Sequence, residues 1–305
     1  VPILKGISTA FERGKTNLII GQSGSGKTVF LKCLLGLFIP EEGNISYGGK
    51  TYNELSNDEK RDLRQDMGMV FQGSALFDSM TVEENVKFPL EMFTKKDNIE
   101  MDERVNTVLQ RVNLVDAHKK YPSDISGGMQ KRVAIARAIV MNPTYLFCDE
   151  PNSGLDPKTA ILIDNLIQEI TEEFDITTVV NTHDMNSVME IGQKIIFLKN
   201  GNKEWEGSNK EIFKTDNQAV TDFVYSSELF KKVRQMYIEE RNWPLHVIRP
   251  YVLSDTNWKH LKDERFELAV LPWGATEAHN YHLPYATDNI EGTAIAEEAG
   301  RIAWK

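Results

Sequence analysis

The chain has 305 residues, 41% of them apolar and 26% charged, a balance that excludes a disordered chain, a collagen-like repeat and a disulfide-dense mini-scaffold. At ~150 residues per domain the length predicts about two domains. With 35 basic against 45 acidic side chains, the formal charge of −10 speaks against a nucleic-acid partner held by phosphate neutralisation. Along residues 1–242, short β-rich runs alternate with longer helical patterns, the rhythm of an α/β protein. Phe11 reads as a core residue of an alternating strand. Residues 16–20 read as a strand that runs into a glycine-rich turn, and residues 28–37 as the helix that follows. Residues 102–115 and 128–140 carry helical periodicity, the second opening on two glycines. Residues 145–148 form an apolar strand ending in two acids, residues 159–174 a long amphipathic helix, and residues 177–181 and 195–198 two more strands.

Cys33 and Cys148 lie in apolar segments far apart and are expected to be reduced and buried, as in a cytosolic protein. The most apolar stretch, residues 30–40, carries Lys32 and is about half the ~20 residues a membrane-spanning helix needs. There is no secretory leader pattern, and a first residue Val1 in place of Met predicts an incomplete or processed N-terminus. Tryptophan and histidine mark a seam: Trp243, Trp258, Trp273 and Trp304, with His246, His260, His279 and His282, all follow residue 242. Residues 242–248 are read as the boundary between two parts.

Gly21-Gln22-Ser23-Gly24-Ser25-Gly26-Lys27-Thr28 has the spacing G-x-x-x-x-G-K-[ST], directly after a strand and before a helix. Glycines there let backbone N–H groups curl around phosphate oxygens, and the helix N-terminus adds a favourable dipole. Lys27 would reach the β- and γ-phosphates and Thr28 would place its hydroxyl on Mg²⁺. Asp149 and Glu150 end an apolar strand expected to lie beside this loop. Asp149 can hold Mg²⁺ through water, and Glu150 can polarise an attacking water. Ser126, Gly127 and Gly128 open a helix and form a second potential phosphate cradle, one that would serve the nucleotide of a partner subunit.

In order along the chain, this loop, Met69-Val70-Phe71-Gln72, Ile125-Ser126-Gly127-Gly128-Met129-Gln130, Asp149-Glu150-Pro151, Ser153-Gly154-Leu155-Asp156 and His183 resemble an ABC-transporter ATPase over residues 1–241. The resemblance implies an α/β P-loop NTPase fold with a RecA-like core and a helical subdomain at about residues 73–143. It implies ATP and Mg²⁺ as cofactors, with Thr28, Gln72 and Asp149 around the metal. Gln72 would also sense a membrane partner, His183 would hold the γ-phosphate, and Ser126, Gly128 and Asp156 would lie at the seam of a head-to-tail homodimer. The partners implied are a second ATPase subunit and transmembrane permease subunits, on the cytoplasmic face of the plasma membrane. The family's adenine-stacking aromatic precedes a first strand expected upstream of Val1, so none is assigned. Within the family, residues 75–90 and 182–188 resemble the Mla-type (phospholipid and toluene-tolerance) transporter ATPases, which implies a phospholipid or hydrophobic solute as cargo. A non-transport ABC ATPase is one alternative, though neither a long coiled-coil insertion nor a second ATPase module is visible; a two-metal amidohydrolase, from the C-terminal residues, is the other.

Residues 249–305 differ. An apolar run, residues 268–272, precedes Glu277, His279, His282 and Asp288, hard and borderline ligands suited to Zn²⁺ or Mn²⁺. This string resembles the N-terminal part of the creatininase-family amidohydrolases. By that likeness Glu277, His279 and Asp288 belong to a two-metal site whose remaining ligands lie beyond Lys305. The expectation is an incomplete α/β fragment without hydrolase activity, joined to the ATPase by a frameshift or assembly error rather than as a working fusion.

Overall fold

The computed structural model describes residues 2–225, which fall within one compact unit, Val1–Ser227. Its centre is a six-stranded sheet. β1 (Thr16–Ile20) is buried at every position and pairs in parallel with both β6 (Thr177–Thr182) and β7 (Lys194–Lys199). β5 (Tyr145–Asp149) pairs with β6 and with β4 (Met67–Val70), while β8 (Asn202–Gly207) closes the other edge antiparallel to β7. The order is β4-β5-β6-β1-β7-β8. A strand read as adjacent to the glycine-rich loop, β5, therefore stands one place away, because β6 lies between it and β1. A two-stranded hairpin, β2 (Ser46–Tyr47) and β3 (Lys50–Thr51), stands apart from this sheet.

Alternation across β1, β5 and β6 divides the core. Ile19, Phe147 and Val179 join Phe30, Leu31 and Leu34 of helix α1 (Lys27–Leu34) in one cluster. Leu18, Ile20, Leu146 and Val180 are equally buried, and strand geometry turns them to the opposite face. Helix α6 (Pro157–Glu173) packs against β1. Full burial of each such side chain contributes about 1.5–3 kcal/mol.

Local chemistry sets the helix ends. α1 stops at Leu34, three residues before the periodicity suggests. Gly36 takes φ 68° there, its N–H donates to the Cys33 carbonyl and Leu37 N–H donates to that of Lys32, closing the helix. α2 (Asn57–Gln65) has no buried residue and starts at a Ser56–Glu59 capping box. Between β4 and β5 the described elements are helical: α3 (Val82–Phe93), α4 (Asn98–Arg111), a short 3-10 turn at Pro122–Asp124 and α5 (Gly127–Ile139). α4 begins earlier than its apolar stripe because Asp97 caps it with Glu100. Two short helices, α7 (Met185–Ile191) and α8 (Gln218–Val224), complete the described chain. Residues 8–12 form no strand: Phe11 instead packs against the α1 cluster, its ring 6.2 Å from that of Phe30. Both cysteines are free and buried. No helix among the described residues is long and apolar enough to cross a membrane.

Candidate functional site

β1 delivers the chain into residues 21–26, where Gly21, Gly24 and Gly26 adopt φ of 150°, 79° and 102°. At Gly21 a side chain is impossible: a Cβ would stand 2.2 Å from the Leu198 carbonyl oxygen of β7. The loop thus lies directly on the neighbouring strand. α1 starts with no side-chain cap, so its first N–H groups are left to an outside acceptor. Lys27 is buried and turned into the loop, its Nζ donating to the carbonyls of Gly21 (2.8 Å) and Gln22 (3.1 Å). Burial lowers the pKa of this ammonium, and the charges of Glu150 and Asp149 oppose that shift. The Ser25 Oγ is buried without a hydrogen-bond partner. Thr28, Gln22, Ser23 and Gly24 are exposed around the rim.

The intervening strand solves the spacing problem. Asn181, near the end of β6, donates from Nδ2 to Asp149 Oδ1 (2.5 Å) and lies 3.4 Å from Thr28 Oγ1. One amide thereby spans the loop and the acid two strands away. Its own Oδ1 is buried and unpartnered. The Asp149 carboxyl is raised above its ordinary range by burial, opposed by the Asn181 hydrogen bond and reinforced by the Glu150 charge. Glu150 takes φ 48°, a left-handed conformation that costs free energy for a residue with a Cβ, and its N–H donates to the Asn181 carbonyl (2.9 Å). His183 Nδ1 stands 2.8 Å from Glu150 Oε1, within hydrogen-bond distance. Gln72 Nε2 donates to Ser153 Oγ (3.2 Å), which places it beside the segment after Glu150.

Ser126 caps α5, its Oγ accepting from Met129 N–H (3.3 Å), and Ser126 and Gly127 are exposed. Gly128 lies against Thr159. Asp156 is exposed and caps α6 by accepting from Thr159 N–H (3.0 Å). Among the described residues no hydrogen bond joins Ser126, Gly127, Gly128 or Asp156 to residues 21–28 of the same chain. Glu277, His279 and Asp288 lie outside the described residues.

Two features escaped the sequence reading. Asn181 is one, a polar residue at the end of a β-branched strand. The other is a buried group behind the carboxylates: Asp164 Oδ2 accepts from Asn152 Nδ2 (3.0 Å) and Ser187 Oγ (2.7 Å), linking the turn after Glu150, α6 and α7. Burial pushes the Asp164 carboxyl up to about 7. Their sequence signal is faint, since each depends on strands or helices distant along the chain.

A mostly parallel sheet with a glycine-rich loop and buried lysine after β1, and two acids at the end of β5, defines a P-loop nucleoside triphosphatase. The family model described as "ABC transporter" matches residues 4–153, and one described as "Creatinine amidohydrolase" matches residues 254–304. The chain is similar to the methionine import ATP-binding protein MetN of Clostridium tetani, 40% identical over 227 residues, 74% of this chain and 71% of that protein. It is 38% identical over 211 residues to a probable ribonucleotide transport ATP-binding protein, mkl, of Mycobacterium leprae, covering 69% of this chain and 61% of that protein. Among solved structures, the ATP-binding cassette MJ0796, dimeric in a post-hydrolysis state with ADP and Pi, superposes with a TM-score of 0.62 at 36% identity, over 68% of this chain and 90% of that one. CbiO1 of Clostridium perfringens, part of the ABC transporter complex cbiONQ, gives 0.66 at 30% identity, over 76% and 92%. The chain belongs to the ABC transporter ATP-binding family and is an ABC-type ATPase.

Proposed function

We propose that residues 1–241 bind MgATP and hydrolyse it in a head-to-tail pair of identical chains, driving transport through membrane permease subunits from the cytoplasmic face of the plasma membrane. The observation that carries this reading is the convergence of Lys27, Thr28, Asp149, Glu150 and His183 at one edge of β1, β6 and β5, joined by Asn181. The donor set fits Mg²⁺: a threonine hydroxyl, a carboxylate and the Gln72 amide are hard oxygen ligands, and Asn181 ties two of them together. A bound Mg²⁺ would neutralise phosphate charge. In the nucleotide complex Lys27 exchanges loop carbonyls for phosphate oxygens. Glu150, oriented by His183, accepts the proton of the attacking water, and His183 also faces the γ-phosphate. Gln72 would lend its amide oxygen to the metal and to the attacking water. Ser126, Gly127 and Asp156, exposed, together with half-buried Gly128, supply the facing half of the site to the partner's nucleotide; the side chains of Ser126 and Asp156 bond only to the helices they cap.

A cavity of about 430 Å³ between β4 and α3, lined by Phe71, Phe77, Phe88 and Phe93, supports the permease reading. It begins one residue before Gln72, and Phe93 is 50% exposed. For cargo, the strings at residues 75–90 and 182–188 favour a phospholipid or hydrophobic solute. The 40% identity to a methionine import protein favours methionine as the second reading. Turnover of the chain with the permease that copurifies with it, measured against phospholipid vesicles and against methionine, separates the two. Residues 249–305 form a creatininase-like segment outside this activity.

The site itself is tested by Glu150→Gln. It retains ATP binding and gives an ATP-dependent dimer by light scattering, while turnover falls on the order of a hundredfold or more. Undiminished turnover would remove Glu150 as the base.

A further inference from the structure

α5 does more than present its N-terminus. It lies directly on β4, where a Cβ on Gly68 would come within 2.4 Å of the Ala138 carbonyl oxygen, so strand and helix meet backbone to backbone. From that contact α5 sends two cations to the segment after β4. Lys131 Nζ donates to the Gln72 carbonyl. Arg137 donates to the carbonyls of Ser74 (2.8 Å) and Ala75 (2.8 Å). The segment they hold is strained, since Ser74 and Ala75 both adopt left-handed φ, 62° and 48°.

Lys131 is 5% exposed, and among the described residues no ion pair includes it. Burial lowers its pKa, and the Cys148 and Glu150 groups oppose that shift, so the ammonium lies in the field of Glu150. An ammonium taken out of water with only a carbonyl as partner is a costly occupant for a helix position followed by buried Val133 and Ala134, where an apolar side chain would pack. What it supplies is a fixed link from α5 to the main chain of Gln72. On the far side, the Gln72 side chain reaches Ser153, three residues after Glu150.

We propose that Lys131 is a positioning residue for ATP hydrolysis: by holding the Gln72 carbonyl it sets the Gln72 amide relative to Asp149 and Glu150, and passes any shift of α5 to that amide. This rests on the role given above to Gln72. The test is a double-mutant cycle on the full chain, with steady-state ATP turnover and Mg²⁺ titration for Lys131→Met, Lys131→Arg, Gln72→Ala and the Lys131→Met/Gln72→Ala pair. Lys131→Met lowers kcat on the order of tenfold with KM for ATP held within about twofold. It also raises the Mg²⁺ concentration for half-maximal turnover, which a purely structural lysine would not do. Lys131→Arg keeps a donor and recovers most of the loss. In the Gln72→Ala background Lys131→Met costs nothing further. Losses that multiply in the pair, or unchanged turnover in Lys131→Met, overturn the link. Undiminished turnover in Gln72→Ala alone removes the role of Gln72 itself, and with it the proposal, so the two failures are told apart by that single variant. If Lys131→Met gives no folded protein, the same cycle is run with Lys131→Gln.

Discussion

Two helix N-termini among the described residues are rich in glycine, α1 just after Gly26 and α5 opening on Gly127 and Gly128, and they are finished differently. α1 opens after Gly26 with no side-chain cap, a lysine folded over it and a buried Ser25 hydroxyl without a partner. α5 opens with Ser126 as its own cap and stands exposed. A helix end whose N–H groups are already met by its own side chain has less to offer an anion than one whose donors are left open. The first terminus is a binding site within one chain; the second is stable alone and acquires a role only against something brought to it.

The largest expected effect tests the first terminus. Lys27→Ala lowers ATP affinity on the order of a hundredfold, about 2.7 kcal/mol, read by calorimetric titration. The second terminus is tested by Gly127→Arg, because a Cβ there makes only an ordinary 3.6 Å contact with Leu155 and the chain tolerates it. ATP affinity of the single chain stays within about twofold while kcat falls on the order of tenfold or more. If affinity falls in step with kcat, both termini serve one chain's nucleotide and the contrast between them is broken.

The smallest effect concerns stability, at a group that belongs to neither terminus. Asp164 has its folded-state pKa raised to about 7 from 3.8, so the folded chain binds the extra proton between those values and loses stability as pH rises through that window. Asp164→Asn removes this dependence. Its thermal midpoint exceeds that of the parent by roughly 3 °C at pH 8, and the gap closes toward pH 4. An equal gap at both pH values would mean that Asp164 is ionised throughout.

The loop at residues 21–28 is legible because its conformation is local: glycine spacing, a strand before and a helix after suffice. β5, β6, β7 and α6 are legible within one or two residues because their apolar patterns are continuous. β8 is not, since an edge strand reading Asn-Lys-Glu-Trp-Glu-Gly has no apolar face to reveal it. α2 has no buried stripe, and in α3 the Thr81–Glu84 capping box was available as a signal while Pro89 in the interior masked the helix. Strand order was not legible, and the misplacement of β5 beside β1 follows from that. Within the site, Asn181 and Lys131 take their meaning from partners 32 and 59 residues away in sequence. The seam at residues 242–248 and the Glu277, His279 and Asp288 set lie outside the described residues.

The place of β1 in the sheet has a consequence for how the chain is made. Both of its neighbours come late: Thr16–Ile20 pairs only with segments that begin at Thr177 and Lys194. Until synthesis has passed Lys199, the strand that carries the nucleotide loop has unpaired edges, and Gly21 has no Leu198 carbonyl to lie against. Pairings this distant are slow to form and leave strand edges open to wrong partners meanwhile. A nascent chain halted before residue 177 therefore carries the full phosphate-binding sequence but cannot hold it in shape, and a motif translated well before its supporting strands is among the last to become a site.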